Sequence, residues 1–199
     1  AAQLSRLAVT IARLDRTAPA YGRGKYNDVN TFDLQAASGT SGGSSGSPVV
    51  NIDGEVVALN AGANNSAASS FFLPLDRIDR ALDLVQQDKP VTRGTLQTMF
   101  ELKAYDELKR LGLSDESERI VRSSFPEQTG MLTVQQVIPD TPAAGKLAPG
   151  DILLRINGEL VTEFVPLAAI LDDSVEQEVE IELERGGRSI TESVFVTDL

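Results

Sequence analysis

The chain has 199 residues, 41% of them hydrophobic and 24% charged, a balance that supports a folded core and excludes global disorder. It contains no cysteine and no histidine, which removes disulfides, thiolate and histidine zinc sites and the histidine pH switch, and fits a reducing compartment. The formal net charge of −11 repels nucleic-acid backbones and serves solubility. No apolar run approaches the ~20 residues that span a bilayer, and Ala1 to Val9 lacks the pattern of a signal peptide.

Leu4 to Leu14, with Val9, Thr10 and Ile11, is apolar and β-leaning and predicts a strand. A chain that opens in mid-strand is expected to belong to a protein that begins earlier. Pro19, Gly22, Gly24 and Asn27-Asp28 make residues 15–30 a loop, and Thr31 to Ala36 a short strand follows. The run Ser38 to Ser47 is almost entirely Gly and Ser and resembles a linker in composition. It is joined, however, to Pro48–Leu59, whose apolar runs flank Asp53-Gly54, a strong hairpin signal. Residues 61–70 read as a loop and Phe71 to Leu75 as a strand. Ile78, Leu82 and Val85 recur at helical spacing up to Gln87. Asp88-Lys89-Pro90 breaks the helix, so the predicted domains are residues 1–90 and 91–199.

In the second domain, Thr95 to Phe100 is a strand. Tyr105, Leu108 and Leu111 mark a helix stopped by Gly112 in a left-handed cap. Ser114 followed by Asp115 and Glu116 starts another helix. Met131 to Ile138 is a strand, Pro142-Ala143-Ala144 a short helix, and Ile152 to Ile156 a strand closed by Asn157-Gly158. Pro166 to Leu171 gives a short helix. Val179, Ile181 and Leu183 alternate with glutamates, turn at Gly186-Gly187, and return through Ile190, Val194 and Val196 as a hairpin with one buried face.

Gly43-Ser44-Ser45-Gly46-Ser47-Pro48 resembles the Gly-X-Ser-Gly-Gly/Ser-Pro signature around the nucleophile of trypsin-like serine proteases, the HtrA/Deg branch in particular. Leu34-Gln35, the hairpin Val49 to Leu59, Asn60-Ala61-Gly62 and Phe72-Leu73-Pro74-Leu75 stand at that family's spacing. Asn30-Thr31-Phe32 with Gln35-Ala36-Ala37-Ser38-Gly39 is nearer still to the large multi-PDZ Deg proteases of plants and fungi. The resemblance covers essentially the whole chain. It implies a mainly β fold: the second half of a trypsin-like double β-barrel, then an α+β PDZ domain.

Acyl transfer needs a serine hydroxyl on a tight turn and backbone N–H groups aimed at the developing oxyanion. The resemblance implies that Ser45 is the nucleophile and that the Gly43 and Ser45 N–H groups form the oxyanion hole. It places Leu59, Asn60 and Ala61 along the specificity pocket, where Ala61 and the lack of an acid favour small or medium apolar side chains. The family's histidine base and its orienting aspartate lie N-terminal to the serine. This chain has no histidine, and loss of a triad member leaves only about 10³–10⁴-fold catalysis over water. Lys25 is formally available, but its loop context assigns it no such role. The implied function is a serine endopeptidase of protein quality control, acting on unfolded polypeptides and present here without its His and Asp. The alternative is a non-catalytic PDZ peptide-binding module or pseudoprotease. A lone half-barrel is expected to expose apolar surface, so the missing N-terminal protease half or a homo-oligomer is an expected partner. Nucleic acid and membrane are not expected. Fungal relatives are nuclear and plant relatives plastid-associated, which favours an intracellular setting.

Arg93-Gly94-Thr95-Leu96-Gln97 resembles the start of a protease-linked PDZ domain, where this loop binds a peptide carboxylate. Gly130-Met131-Leu132, Pro142-Ala143, Pro149-Gly150-Asp151-Ile152-Leu153 and Ile156-Asn157-Gly158 follow in family order. The resemblance implies that a peptide C-terminus or internal strand adds beside Thr95 to Thr98, with Leu96, Leu167 and Ile170 either lining a side-chain pocket or packing as core. The loop departs from the usual Gly-Leu-Gly-Phe, which also fits a domain that regulates or assembles a protease without binding free termini tightly. Asp172-Asp173 and the glutamates of 176–184 read as a solvated face, with no metal site. The Gly/Ser run lacks the lysine of a phosphate loop, and no cofactor is implied.

Overall fold

The computed structural model describes residues 6–17, 29–37, 39, 43–64 and 69–199. They fall into two compact units, Ala1–Gln87 and Asp88–Leu199.

The first unit is a five-stranded antiparallel sheet: β1 (Ile11–Thr17), β2 (Phe32–Ala36), β3 (Pro48–Val50), β4 (Val56–Asn64) and β5 (Ser69–Pro74), in the order β1-β2-β5-β4-β3. Ala36, Ala58 and Phe72 form its buried centre, with Val9, Ile11, Leu34 and Val49 packed around them. The β3–β4 hairpin is built as expected around Asp53-Gly54. Gly54 is left-handed at φ 87°, and the Asn51 carboxamide oxygen accepts from the N–H groups of Asp53 and Glu55, both at 2.9 Å. Helix α1 (Asp76–Gln86) follows, with Asp76 and Asp79 at its positive end.

Two strand limits differ from the sequence-based expectation. The first strand starts at Ile11 and continues past Leu14 to Thr17, because antiparallel pairing with β2 runs from Ile11↔Ala36 to Thr17↔Phe32. Residues 61–64 and 69–70 were expected in a loop but are strand. Ala, Asn and Ser have weak β-propensity alone, and the β4–β5 ladder, through Ala63↔Ser70 and Asn64↔Ser69, overrides it. The expected loops at 18–28 and 65–68, and most of the Gly/Ser run before Gly43, lie outside the described residues. Val50, Ile52 and Val56 on the hairpin and Leu82 and Val85 on α1 are exposed.

The second unit contains β6 (Gly94–Thr95), β7 (Thr98–Ala104), α2 (Tyr105–Leu111), α3 (Asp115–Ser124), β8 (Gly130–Val137), β9 (Ile152–Ile156), β10 (Glu159–Leu160), α4 (Phe164–Asp173), β11 (Glu178–Arg185), β12 (Arg188–Phe195) and β13 (Thr197–Asp198). The main sheet has the order β12-β11-β9-β8-β7, with β10 beside β9, and β13 pairs with β6. Leu132, Ile152, Leu153, Ile156, Leu167, Ile181 and Leu183 are fully buried. A further cluster joins Tyr105 and Leu108 of α2, Val121 of α3 and Met131 of β8. Gly112 ends α2 at φ 107°, and a Cβ there would stand 2.3 Å from the Gly187 nitrogen, so both backbone and space require glycine.

The expected strand Thr95–Phe100 is broken. Gln97 is left-handed at φ 50°, so β6 turns to β13 while β7 pairs with β8. Pro142-Ala143-Ala144 forms turns and no helix, because left-handed Asp140 and Gly145 bound it too closely for a helical repeat. The carboxylates are not all solvated either: Asp172 and Glu184 are each only 5% exposed.

Candidate functional site

Ser45 sits at the exposed tip of a turn between two left-handed glycines, Gly43 (φ 88°) and Gly46 (φ 78°). A Cβ on either would meet open space, so backbone conformation and not crowding calls for glycine there. The Ser47 N–H closes the turn on the Ser44 carbonyl at 3.0 Å. Two further bonds fasten it to β4: the Gly46 N–H donates to the Asn60 carbonyl (2.8 Å), and the Asn60 N–H to the Ser47 carbonyl (2.9 Å). The turn is thus fastened to β4 and leaves Ser45 exposed to solvent.

Leu59, Asn60 and Ala61 are consecutive on β4 beneath this turn. Leu59 is half-buried and faces Pro48 and Leu73 across the ladder. The β4–β5 register slips between Asn60 and Gly62, so Ala61 is an extra residue and is exposed. Such bulges re-aim neighbouring side chains. Asn60, only 6% exposed, turns its amide nitrogen onto the Ser44 carbonyl (3.0 Å) and the Ser44 hydroxyl (2.9 Å). Its own Oδ1 is buried and meets no donor among the described residues. Lys25 lies outside the described residues.

The loop at residues 93–97 is already hydrogen-bonded from within. The Gly94 N–H donates to the Asp172 carboxylate and the Arg93 N–H to the Asp198 carboxylate, both at 2.8 Å, and the Gln97 N–H to the Thr95 hydroxyl at 2.9 Å. Gly94 approaches α4 so closely that a Cβ would stand 1.9 Å from the Leu171 carbonyl oxygen. Leu96 and Leu167 are 2% and 1% exposed, and Ile170 is half-buried. The main sheet ends at β7, an edge strand. Sequence reasoning missed the aspartates that close the loop. The available signal was Asp172-Asp173 in the last turn of α4, where the helix dipole disfavours carboxylates that lack a specific partner.

Away from these loops, the Glu184 carboxylate caps α3 by accepting from the Ser114 N–H (2.8 Å) and from the Ser114 and Ser117 hydroxyls (2.7 Å each). Asp151, 1% exposed, takes a bidentate pair from Arg185 at 2.6 and 2.8 Å. Glu118 bridges Lys109 (3.0 Å) and Arg122 (2.8 Å), whose hydrogen bonds hold its carboxyl below the ordinary range. Arg122 lies 3.8 Å over the Tyr105 ring, and burial pushes the Tyr105 phenol up.

The PDZ-domain signature matches residues 133–185. Over 99% of its length the chain is 52% identical to Protease Do-like 7 of Arabidopsis thaliana and 53% identical to Pro-apoptotic serine protease NMA111 of Ajellomyces capsulatus. It spans about a fifth (19%) of the length of each of these relatives. Its fold is similar to the HtrA-type protease AlgW with tripeptide, with a TM-score of 0.57 and 21% identity over 96% of this chain and 59% of that one. The same protease with decapeptide gives a TM-score of 0.56 at 20% identity, over 96% of this chain and 55% of that one. Over nearly its whole length the chain is thus similar to a segment of these proteases, its fold is shared with the HtrA-type structures, and residues 133–185 carry a PDZ-domain signature.

Proposed function

We propose that this chain supplies the nucleophile and oxyanion donors of a serine endopeptidase acting on unfolded polypeptides, with a His–Asp pair contributed from outside the chain. The observation that carries this reading is the exposed Ser45 hydroxyl at the tip of a glycine-flanked turn stitched to β4. The Ser45 Oγ attacks the scissile carbonyl carbon, the external histidine takes the hydroxyl proton, and the N–H groups of Gly43 and Ser45 receive the oxyanion. The proton then passes to the leaving amine, and water releases the acyl group by the same route. Exposed, uncharged Ala61 beside Leu59 suits small or medium apolar side chains at the cleavage site. The test is Ser45→Ala in the native protein: turnover of an unfolded protein substrate falls to background while the fold is retained. Undiminished turnover in that variant rejects the assignment.

The second domain binds peptide by strand addition at the open edge of β7. Asp172, Asp198 and Thr95 already occupy N–H groups of the loop at 93–97. An incoming terminal carboxylate would meet Asp172 as a like charge. Internal strands are therefore favoured as ligands over free C-termini.

A further inference from the structure

We propose that Asn60 is a positioning residue for the reaction: its side-chain amide fixes the plane of the Ser44–Ser45 peptide and so aims the Ser45 N–H at the oxyanion. This rests on the protease reading. A trans peptide is planar, so the Ser45 N–H points opposite to the Ser44 carbonyl. Whatever holds that carbonyl sets the direction of the oxyanion donor. Among the described residues the Ser47 N–H and the Asn60 amide hold it, each at 3.0 Å. Turning the plane would break both bonds at once. The turn lies between two left-handed glycines, so its local sterics offer little resistance of their own.

Residue 60 grips both sides of the nucleophile. Its amide reaches the Ser44 carbonyl and hydroxyl, its carbonyl takes the Gly46 N–H, and its N–H donates to Ser47. The bulge at Ala61 accompanies this orientation, which a regular ladder does not require. The buried Oδ1, without a donor among the described residues, argues against stability as the reason for an asparagine. An apolar residue of the same shape would avoid that desolvation cost. What the amide supplies and leucine cannot is a pair of donors aimed at Ser44.

The experiment compares the unsubstituted native protein, complete with its His–Asp-bearing part, with Asn60→Leu and Asn60→Asp. Leucine keeps the branched shape, at a larger volume, and removes a buried acceptor that is unsatisfied among the described residues. Aspartate keeps the shape and places an acceptor against the Ser44 carbonyl. Losing an oxyanion donor outright costs about 10²–10³-fold in kcat. Losing one of the two bonds that aim it is expected to cost roughly 10- to 100-fold, with KM within about twofold, because the contact matters only once negative charge develops. The rate of Ser45 phosphonylation by a fluorophosphonate falls in parallel, while the melting temperature of Asn60→Leu is retained. An unchanged kcat in both variants overturns the proposal. So does a loss that appears in KM alone or that follows a fall in melting temperature. Absence of a Ser45 label on the unsubstituted protein removes the protease reading and this proposal with it, whereas a labelled Ser45 with unaltered variants removes this proposal alone.

Discussion

One carboxylate braces the Ser114 cap at the start of α3. Glu184 accepts three hydrogen bonds there, and at 5% exposure it has little water to replace them. Glu184→Ala leaves the Ser114 N–H and two hydroxyls without their acceptor, a loss of about 1–3 kcal/mol. Thermal denaturation should register this as a drop of roughly 5–15 °C for the second unit, and no change would show that water replaces the carboxylate. Glu118 acts on the surface of the same helix. Its carboxyl is held below the ordinary range by Lys109 first and Arg122 second. Its stabilisation is therefore present above the ordinary carboxylate value and is lost as pH falls through the depressed one. Lys109, raised first by its hydrogen bond to Glu118, contributes below the ordinary lysine value and loses that contribution as pH rises through the elevated one. With Lys109 half-exposed the effect is small. Glu118→Gln should flatten the acid limb of melting temperature against pH, and an unaltered limb would show that the pair carries no linkage. These roles were hidden in the sequence for one reason. Alternation marks a carboxylate as facing away from the core, but cannot say whether a serine from another element waits for it.

At the scale of elements, the features set by neighbours in sequence were legible: the Asp53-Gly54 hairpin, the left-handed Gly112, the Ser114 cap and the alternation of β11. Features set by distant partners were not. The ends of β4 and β5 depend on each other, and the break at Gln97 depends on β13 arriving beside β6. That break separates the loop from β7 and leaves β7 as an open edge. Its expected ligand can be tested with paired peptides of one sequence, one a free acid and one amidated. Isothermal titration should give equal affinity within about threefold, since main-chain hydrogen bonds along the edge supply the binding. A tenfold or greater preference for the free acid would mean that the loop opens and takes the carboxylate.

For the molecule as a whole, the sequence showed that Gly43 to Pro48 is part of a sheet unit and not a linker, because the Asp53-Gly54 hairpin is joined directly to it. The turning of the Asn60 amide onto Ser44 was not legible, since the bond joins residues 16 positions apart in the chain. Unit 1 brings together Ser45, Gly43, Gly46 and Asn60, and the chain has no histidine to complete the chemistry. A serine hydroxyl becomes nucleophilic only when a base takes its proton, so under the proposed function Ser45 works with a base carried outside this chain. The most direct measurement is fluorophosphonate labelling of the native protein in extracts of its source cells, with the modified peptide mapped by mass spectrometry. The expected result is a label on Ser45 that is lost in Ser45→Ala. A folded native protein that leaves Ser45 unlabelled while it still binds peptides would contradict the claim, and would make the PDZ domain the functional centre of the chain.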